Sequence, residues 1–185
     1  MCGDALASAS YYSTAIKIWS TTTWTCERTL EGHEGEVETL VTTGDKLISG
    51  SHDATIKIWS TTSWTCERTL TEHQGAVYAL ALHEGNKLFS GSYDRSVKIW
   101  DLTTWACERT LPCSGGVFSL KVLCGDELAV GLHNGSIEVK SLATGENVRT
   151  LEGHTNWVLS LTACGGKLVS GSVNTTIKVW GVGEE

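Results

Sequence analysis

The sequence predicts an all-β chain of repeated four-stranded units, and three observations carry that expectation. "IKIWSTTTWTCERTL" at residues 16–30 returns as "IKIWSTTSWTCERTL" at 56–70, with only Thr23 changed to Ser63. Trp19, Trp59, Trp100, Lys140 and Trp180 close five similar segments at steps of 40, 41, 40 and 40 residues. Glycine is abundant (20) and proline almost absent (1), and Thr, Ser, Val, Ile and Trp fill the segments between glycines. That balance suits strands joined by tight turns.

Each repeat reads as four strands in a fixed order. The opening strand is "VETLVTT", "VYALALH", "VFSLKVL" or "WVLSLTA", and the second is "KLISGS", "KLFSGS", "ELAVGL" or "KLVSGS". A turn such as "SHDAT" or "SYDRS" leads to the third strand, "AIKIW", "TIKIW", "SVKIW", "SIEVK" or "TIKVW". A polar turn then leads to "CERTL", three times, or "NVRTL". Four short strands per ~40 residues is the pattern of a propeller blade, whose sheet buries its faces against neighbouring sheets. We read residues 1–185 as one propeller region with units at about 5–30, 31–70, 71–111, 112–151 and 152–185. The first unit lacks its opening strand and the last its closing strand. Closed rings of ~7 blades need a longer chain, so the expectation is an open or partial ring that self-associates through unpaired blade edges.

Composition narrows the function. The net charge of −7 and pI near 5.4, without any Lys/Arg run, set a field that repels nucleic acid and anionic membranes. No apolar run approaches the ~20 residues of a membrane span. "MCGDALASASYY" lacks the charged start and apolar stretch of an export signal, which points to a cytoplasmic or nuclear address. Seven cysteines form no C-x-x-C pair, and Cys26, Cys66 and Cys107 recur with the repeat. They read as small, reduced, half-buried residues, and zinc-ligand spacing is missing. No phosphate-cradling glycine loop is present. We expect no metal and no cofactor.

These segments make the chain resemble the WD-repeat β-propeller family over essentially its whole length. The resemblance is carried by Gly32-His33 and Gly153-His154, by "SGS.D" at residues 49–53 and 90–94, and by the "IKIW" and "VKIW" strand ends. A full Trp-Asp pair stands only at Trp100-Asp101. It implies a buried tetrad in each blade: His33, Ser49, Asp53 and Trp59; then His73, Ser90, Asp94 and Trp100; then His154, Ser170 and Trp180, with Asn174 in the Asp place. The fourth repeat departs, with Ser114, Val130, Asn134 and Lys140 in these places. We expect it to be the loosest blade, either drifted or modified for a partner. Pro112 redirects the loop that enters it.

A catalytic site occurs once, whereas frame residues recur. By that test His33, His73 and His154 are frame, and no enzyme is expected. The residues that vary while their surroundings repeat are Glu36, Glu38, Ala76, Tyr78, Gly116, Phe118, Trp157 and Leu159, with His52, Tyr93, His133 and Val173. The resemblance implies that ligands dock there, on the propeller's top face. Tyr78, Tyr93, Phe118 and Trp157 have the area of interface anchors, and Glu36 and Glu38 form a negative edge suited to Lys or Arg. Trp24, Trp64 and Trp105, in the turn before the outer strand, either pack on the blade rim or form an exposed stripe. Two function classes follow. One is a protein-interaction scaffold, recruiting substrates within a ubiquitin-ligase or signalling assembly, because the compact repeats resemble those found beside RING, F-box or kinase domains. The other is a structural repeat array, part of a longer propeller, with no ligand of its own.

Overall fold

The computed structural model describes residues 5–10, 12–83 and 86–181, and all regular structure among them is β-strand. The chain divides into two compact units, Met1–Leu80 and Ala81–Glu185.

In the first unit, β1 (Ala5–Ser8), β2 (Ile16–Ser20) and β3 (Cys26–Leu30) form a three-stranded antiparallel sheet in chain order. β4 (Val37–Thr43), β5 (Lys46–Ser51), β6 (Ile56–Ser60) and β7 (Cys66–Leu70) form a four-stranded one, again in chain order. Side chains alternate along a strand, so the Ile-x-Ile of each third strand points to one face and the Trp to the other. Ile16 and Ile18 of the first sheet thus meet Leu47 and Trp59 of the second in one buried cluster, closed by Leu30 and Val37. A Cβ built on Gly50 would lie 2.7 Å from Val77 Cγ1, so the second strand needs glycine where the next repeat's opening valine approaches.

The boundary between the units falls within β8 (Val77–His83), which begins the third sheet with β9 (Lys87–Ser92), β10 (Ser96–Asp101) and β11 (Cys107–Pro112). β12 (Val117–Leu123), β13 (Glu127–Leu132), β14 (Ile137–Ser141) and β15 (Asn147–Leu151) form the fourth. β16 (Val158–Cys164), β17 (Lys167–Ser172) and β18 (Ile177–Gly181) form the last, which has three strands like the first. The five sheets of the sequence reading are therefore present. In the second unit, Val97 and Ile99 share a buried cluster with Leu128, and Ile137 and Val139 share another with Leu168, against which Trp180 packs.

Two expectations need correction. The fourth sheet is not the loosest: Ile137, Glu138, Val139 and Lys140 of β14 are all buried. Its position between two sheets, with an ion pair described below, replaces what the tryptophan supplies elsewhere. Cys26 and Cys66 are exposed rather than half-buried, because they begin the outer strand, whereas Cys107 is intermediate; all six described cysteines are free thiols.

The turn tryptophans differ among themselves. Trp24, Trp64 and Trp105 have φ of 58°, 59° and 61°, and Gly145 takes the same place in the fourth repeat with φ 80°. Each backbone N–H there donates to the carbonyl of the residue that ends the third strand of its repeat, at Ser20, Ser60, Asp101 and Ser141. The turn thus imposes the left-handed region that glycine adopts most readily. Trp64 packs against the core of the first unit and Trp105 is half-buried, but Trp24 is 70% exposed.

Candidate functional site

The recurring polar residues form the frame from which any site projects. In the second sheet, the Trp59 indole N–H donates to Ser49 Oγ at 2.9 Å, and Ser49 Oγ lies 2.7 Å from His33 Nε2. His33 Nδ1 lies 2.8 Å from Asp53 Oδ2. Burial holds the His33 pKa below its ordinary value, against the opposing hydrogen bond and charge of Asp53. The ring is then neutral near pH 7, so Nδ1–H donates to Asp53 and Nε2 accepts the Ser49 hydroxyl proton. Every polar atom of the chain Trp59–Ser49–His33–Asp53 is used. Burial alone would raise the Asp53 pKa, but hydrogen bonds from the Thr55 hydroxyl, the Glu34 N–H, His33 and the Thr55 N–H bring it down to about 2.

The other sheets repeat parts of this chain. Trp19 donates to Ser8 Oγ in the first sheet and Trp100 to Ser90 Oγ in the third, each at 2.8 Å. Asp94 Oδ1 accepts the Ser96 hydroxyl at 2.6 Å, and His73 is buried in the first unit. In the last sheet, Trp180 donates to Ser170 Oγ at 2.8 Å and His154 Nε2 lies 2.7 Å from the same oxygen. Asn174 Oδ1 is 3.3 Å from His154 Nδ1, longer than the carboxylate contact at Asp53, and Thr176 Oγ1 comes closer at 3.0 Å.

The fourth sheet uses different chemistry. Lys140 Nζ stands 2.9 Å from Glu138 Oε2, both side chains buried, and Glu138 Oε1 accepts the Ser114 N–H at 2.9 Å. Burial would raise the Glu138 pKa, but the Ser114 hydrogen bond and Lys140 reverse it, leaving the carboxyl below its ordinary value. Burial pushes the nearby Cys113 thiol up to about 12, so it is a thiol and not a nucleophile at neutral pH. Lys140 stands in the Trp place of the repeat, and its partner Glu138 stands where the other repeats have Lys. The signal was available: "SIEVK" puts Glu138 and Lys140 two apart on one strand, hence on one face.

The non-recurring residues gather in each unit by itself. In the first unit, His52 Nε2 is 2.7 Å from the Tyr78 hydroxyl, the two rings meet edge to face at 5.5 Å, and His52 Nδ1 is 3.7 Å from Glu36 Oε2. Burial raises the Glu38 pKa, with His52 opposing and Glu36 adding to the shift. This cluster is acidic and half-exposed.

In the second unit four rings make a continuous row. Phe118 stacks on Trp157 with centroids 4.8 Å apart and planes at 22°. Tyr93 meets Phe118 edge to face at 6.3 Å and His133 at 6.1 Å. Trp157 is 44% exposed and Tyr93 is exposed as well, but Phe118 is 8% exposed. Phe118 is therefore no surface anchor of its own; it is the buried plate on which the Trp157 ring rests. His133 Nδ1 is buried and lacks a hydrogen-bond partner. Small residues open the space for this row, since a Cβ on Gly116 would lie 2.8 Å from Tyr93 Cδ2 and one on Gly115 would lie 2.8 Å from His133 Nδ1.

A device that alternation could not reveal sets the aim of these side chains. The pairing of β4 with β5 passes from Val37–Ser51 to Thr39–Gly50, leaving Glu38 as an extra residue. The same bulge leaves Phe118 over in β12 and Leu159 over in β16. Bulges redirect a side chain without ending the strand, and here each falls one residue after the buried valine that starts the inner strand. Among the described residues, no group of three or more His, Cys, Asp or Glu converges as a metal site would require.

A family model described as "WD domain, G-beta repeat" matches residues 24–60, 64–101 and 145–181. The matched stretches leave out β14 and its Glu138–Lys140 pair. No curated protein matches the chain. Among solved structures, the crystal structure of the computationally designed Ika8 protein is similar, with a TM-score of 0.82 and 28% identity over 97% of this chain. The chain spans 56% of that protein's length.

Proposed function

The chain belongs to the WD domain, G-beta repeat family, and from that premise we propose that it binds a peptide or protein segment through the row Trp157–Phe118–Tyr93–His133. Repeats of this family generally serve as non-catalytic scaffolds for protein–protein interaction. The observation that carries the reading is the exposed Trp157 ring held flat on buried Phe118. A rigid aromatic, already ordered before binding, gives contact area at low entropic cost. Taken by itself, the group of Glu36, Glu38 and His52 in the first unit is a separate negative edge suited to a Lys or Arg. The narrower role, recruitment of a substrate into a ubiquitin-ligase or signalling assembly, rests on the resemblance of the compact repeats alone. It predicts a ligase or kinase component among the captured proteins.

The test compares proteins captured by the wild type with those captured by Trp157→Ser and Tyr93→Ala, each checked for folding by circular dichroism. A binding module loses specific partners in both variants. An array without its own ligand captures the same set throughout, and that result would retire the proposal. Phe118→Ala is unsuited to the comparison, because it opens a cavity in a buried position.

A further inference from the structure

The fourth and fifth repeats carry asparagine, Asn134 and Asn174, where the second and third carry Asp53 and Asp94. The two asparagines hold their side-chain oxygens alike. Asn134 Oδ1 accepts the Ser136 N–H at 3.0 Å and the Ser136 hydroxyl at 2.7 Å, and Asn174 Oδ1 accepts the Thr176 N–H at 3.2 Å and its hydroxyl at 2.7 Å. Their nitrogens differ. Asn174 Nδ2 donates to Thr155 Oγ1 at 3.4 Å, whereas Asn134 is exposed and its Nδ2 has no acceptor among the described residues. The following residue differs too. Thr175 is β-branched and crowds its own backbone nitrogen, but Gly135 has no side chain, and packing requires that: a Cβ there would lie 2.5 Å from the His154 carbonyl oxygen. The Gly135 N–H is held by Leu132 O at 3.3 Å, longer than an ordinary amide hydrogen bond.

We propose that Asn134–Gly135 is a self-modifying site, at which the folded chain converts Asn134 to aspartate and isoaspartate. The Gly135 nitrogen gives its proton to hydroxide and attacks Asn134 Cγ. The new C–N bond closes a succinimide ring as the Cγ–Nδ2 bond breaks, and Nδ2 leaves as ammonia with a proton from water. Water then opens the ring, at Cγ to give aspartate or at the backbone carbonyl to give isoaspartate. The sum is one amide and one water becoming one carboxylate and one ammonium. Negative charge develops on Oδ1 during the attack, and both Ser136 donors already point at that oxygen, which is the arrangement that stabilises an oxyanion. The leaving nitrogen has no hydrogen bond to give up within the described structure. Opening at Cγ restores the carboxylate that Asp53 and Asp94 supply in their repeats, and it adds a negative charge directly after His133.

The test incubates the folded 185-residue chain in mildly alkaline heavy-oxygen water and follows each asparagine by peptide mass spectrometry. Isoaspartyl-specific methyl transfer separates the two products. Asn134 takes up oxygen from water at least about tenfold faster than Asn174, the internal control with the same oxygen contacts. Ser136→Ala removes one donor from Oδ1 and slows the reaction by about tenfold, while Ser136→Thr, which keeps the hydroxyl, restores it. Circular dichroism checks that each variant is folded, and the comparison of Asn134 with Asn174 needs no variant at all. An Asn134 that stays intact in native buffer, one that reacts no faster than Asn174, or a rate unchanged in folded Ser136→Ala overturns the proposal.

Discussion

The second and fourth sheets solve one packing problem in two ways. In the second sheet, Trp59 fills the space beside the strand and a neutral relay through Ser49 and His33 ends on the Asp53 carboxylate near the surface. In the fourth, Val130 offers no hydroxyl, Lys140 replaces the indole, and the charge is buried as a pair with Glu138. The first arrangement keeps its ion where water and four hydrogen bonds stabilise it. The second depends on two desolvated charges staying together. Neutral polar relays tolerate stepwise change, whereas a buried pair fails when either member is lost.

The largest expected effect follows from that dependence. Lys140→Met strands the Glu138 charge and should cost about 3–5 kcal/mol in denaturant unfolding, while Glu138→Gln/Lys140→Met, which keeps an acceptor for the Ser114 N–H, should recover most of the loss. A double variant no more stable than the single would break the comparison. Next come the reciprocal swaps. Ser49→Val orphans the Trp59 N–H and His33 Nε2, and Val130→Ser buries a hydroxyl where no tryptophan donates, so each should cost about 1–3 kcal/mol per unpaired group. Equal stability of either variant to wild type would mean that the two positions are interchangeable.

The pH dependence sharpens the same contrast. His33 has a lowered pKa in the fold, so its contribution is complete above its ordinary value of 6.5 and declines as pH falls below it. Asp53 is lowered from 3.8 to about 2, so its contribution is complete above pH 3.8 and disappears as pH falls through about 2. Thermal melts should therefore fall in both steps, and Asp53→Asn, less stable at pH 7, should shrink the lower one, to which Asp101 and Glu138 also contribute. An unchanged acid step in that variant would remove Asp53 from the relay. The smallest effect concerns the turn: Trp24→Gly relieves a left-handed φ and should be neutral or stabilising by up to about 1 kcal/mol, whereas Trp64→Gly loses core packing and should destabilise.

Much of the architecture could be read before any coordinates, because the chain repeats. Trp59 and Trp100 each return at the same place in the same strand, and a residue that recurs with the sheet must serve the sheet. The residues that vary are also nameable from the sequence, but their aim is not. Glu38, Phe118 and Leu159 are displaced by bulges that no alternation of apolar and polar residues announces. Phe118 reads as an anchor in the sequence and is a buried support for Trp157 in the fold, because burial depends on what the next repeat lays across it. Trp24 and Trp64 occupy identical sequence contexts and differ in exposure for the same reason. The Glu138–Lys140 pair departs from the repeat at two positions at once, so alignment on the tryptophan alone does not mark it.

The division into a recurring frame and a non-recurring working surface is tested most directly by unfolding free energies for alanine variants at Ser49, Trp59 and Trp100 beside His52, Tyr93 and Trp157. The account predicts losses of about 1–5 kcal/mol at the first three and smaller ones, about 0.5–1.5 kcal/mol, at the last three, whose rings pack at the surface. Losses at Tyr93 and Trp157 equal to that at Trp59 would contradict it.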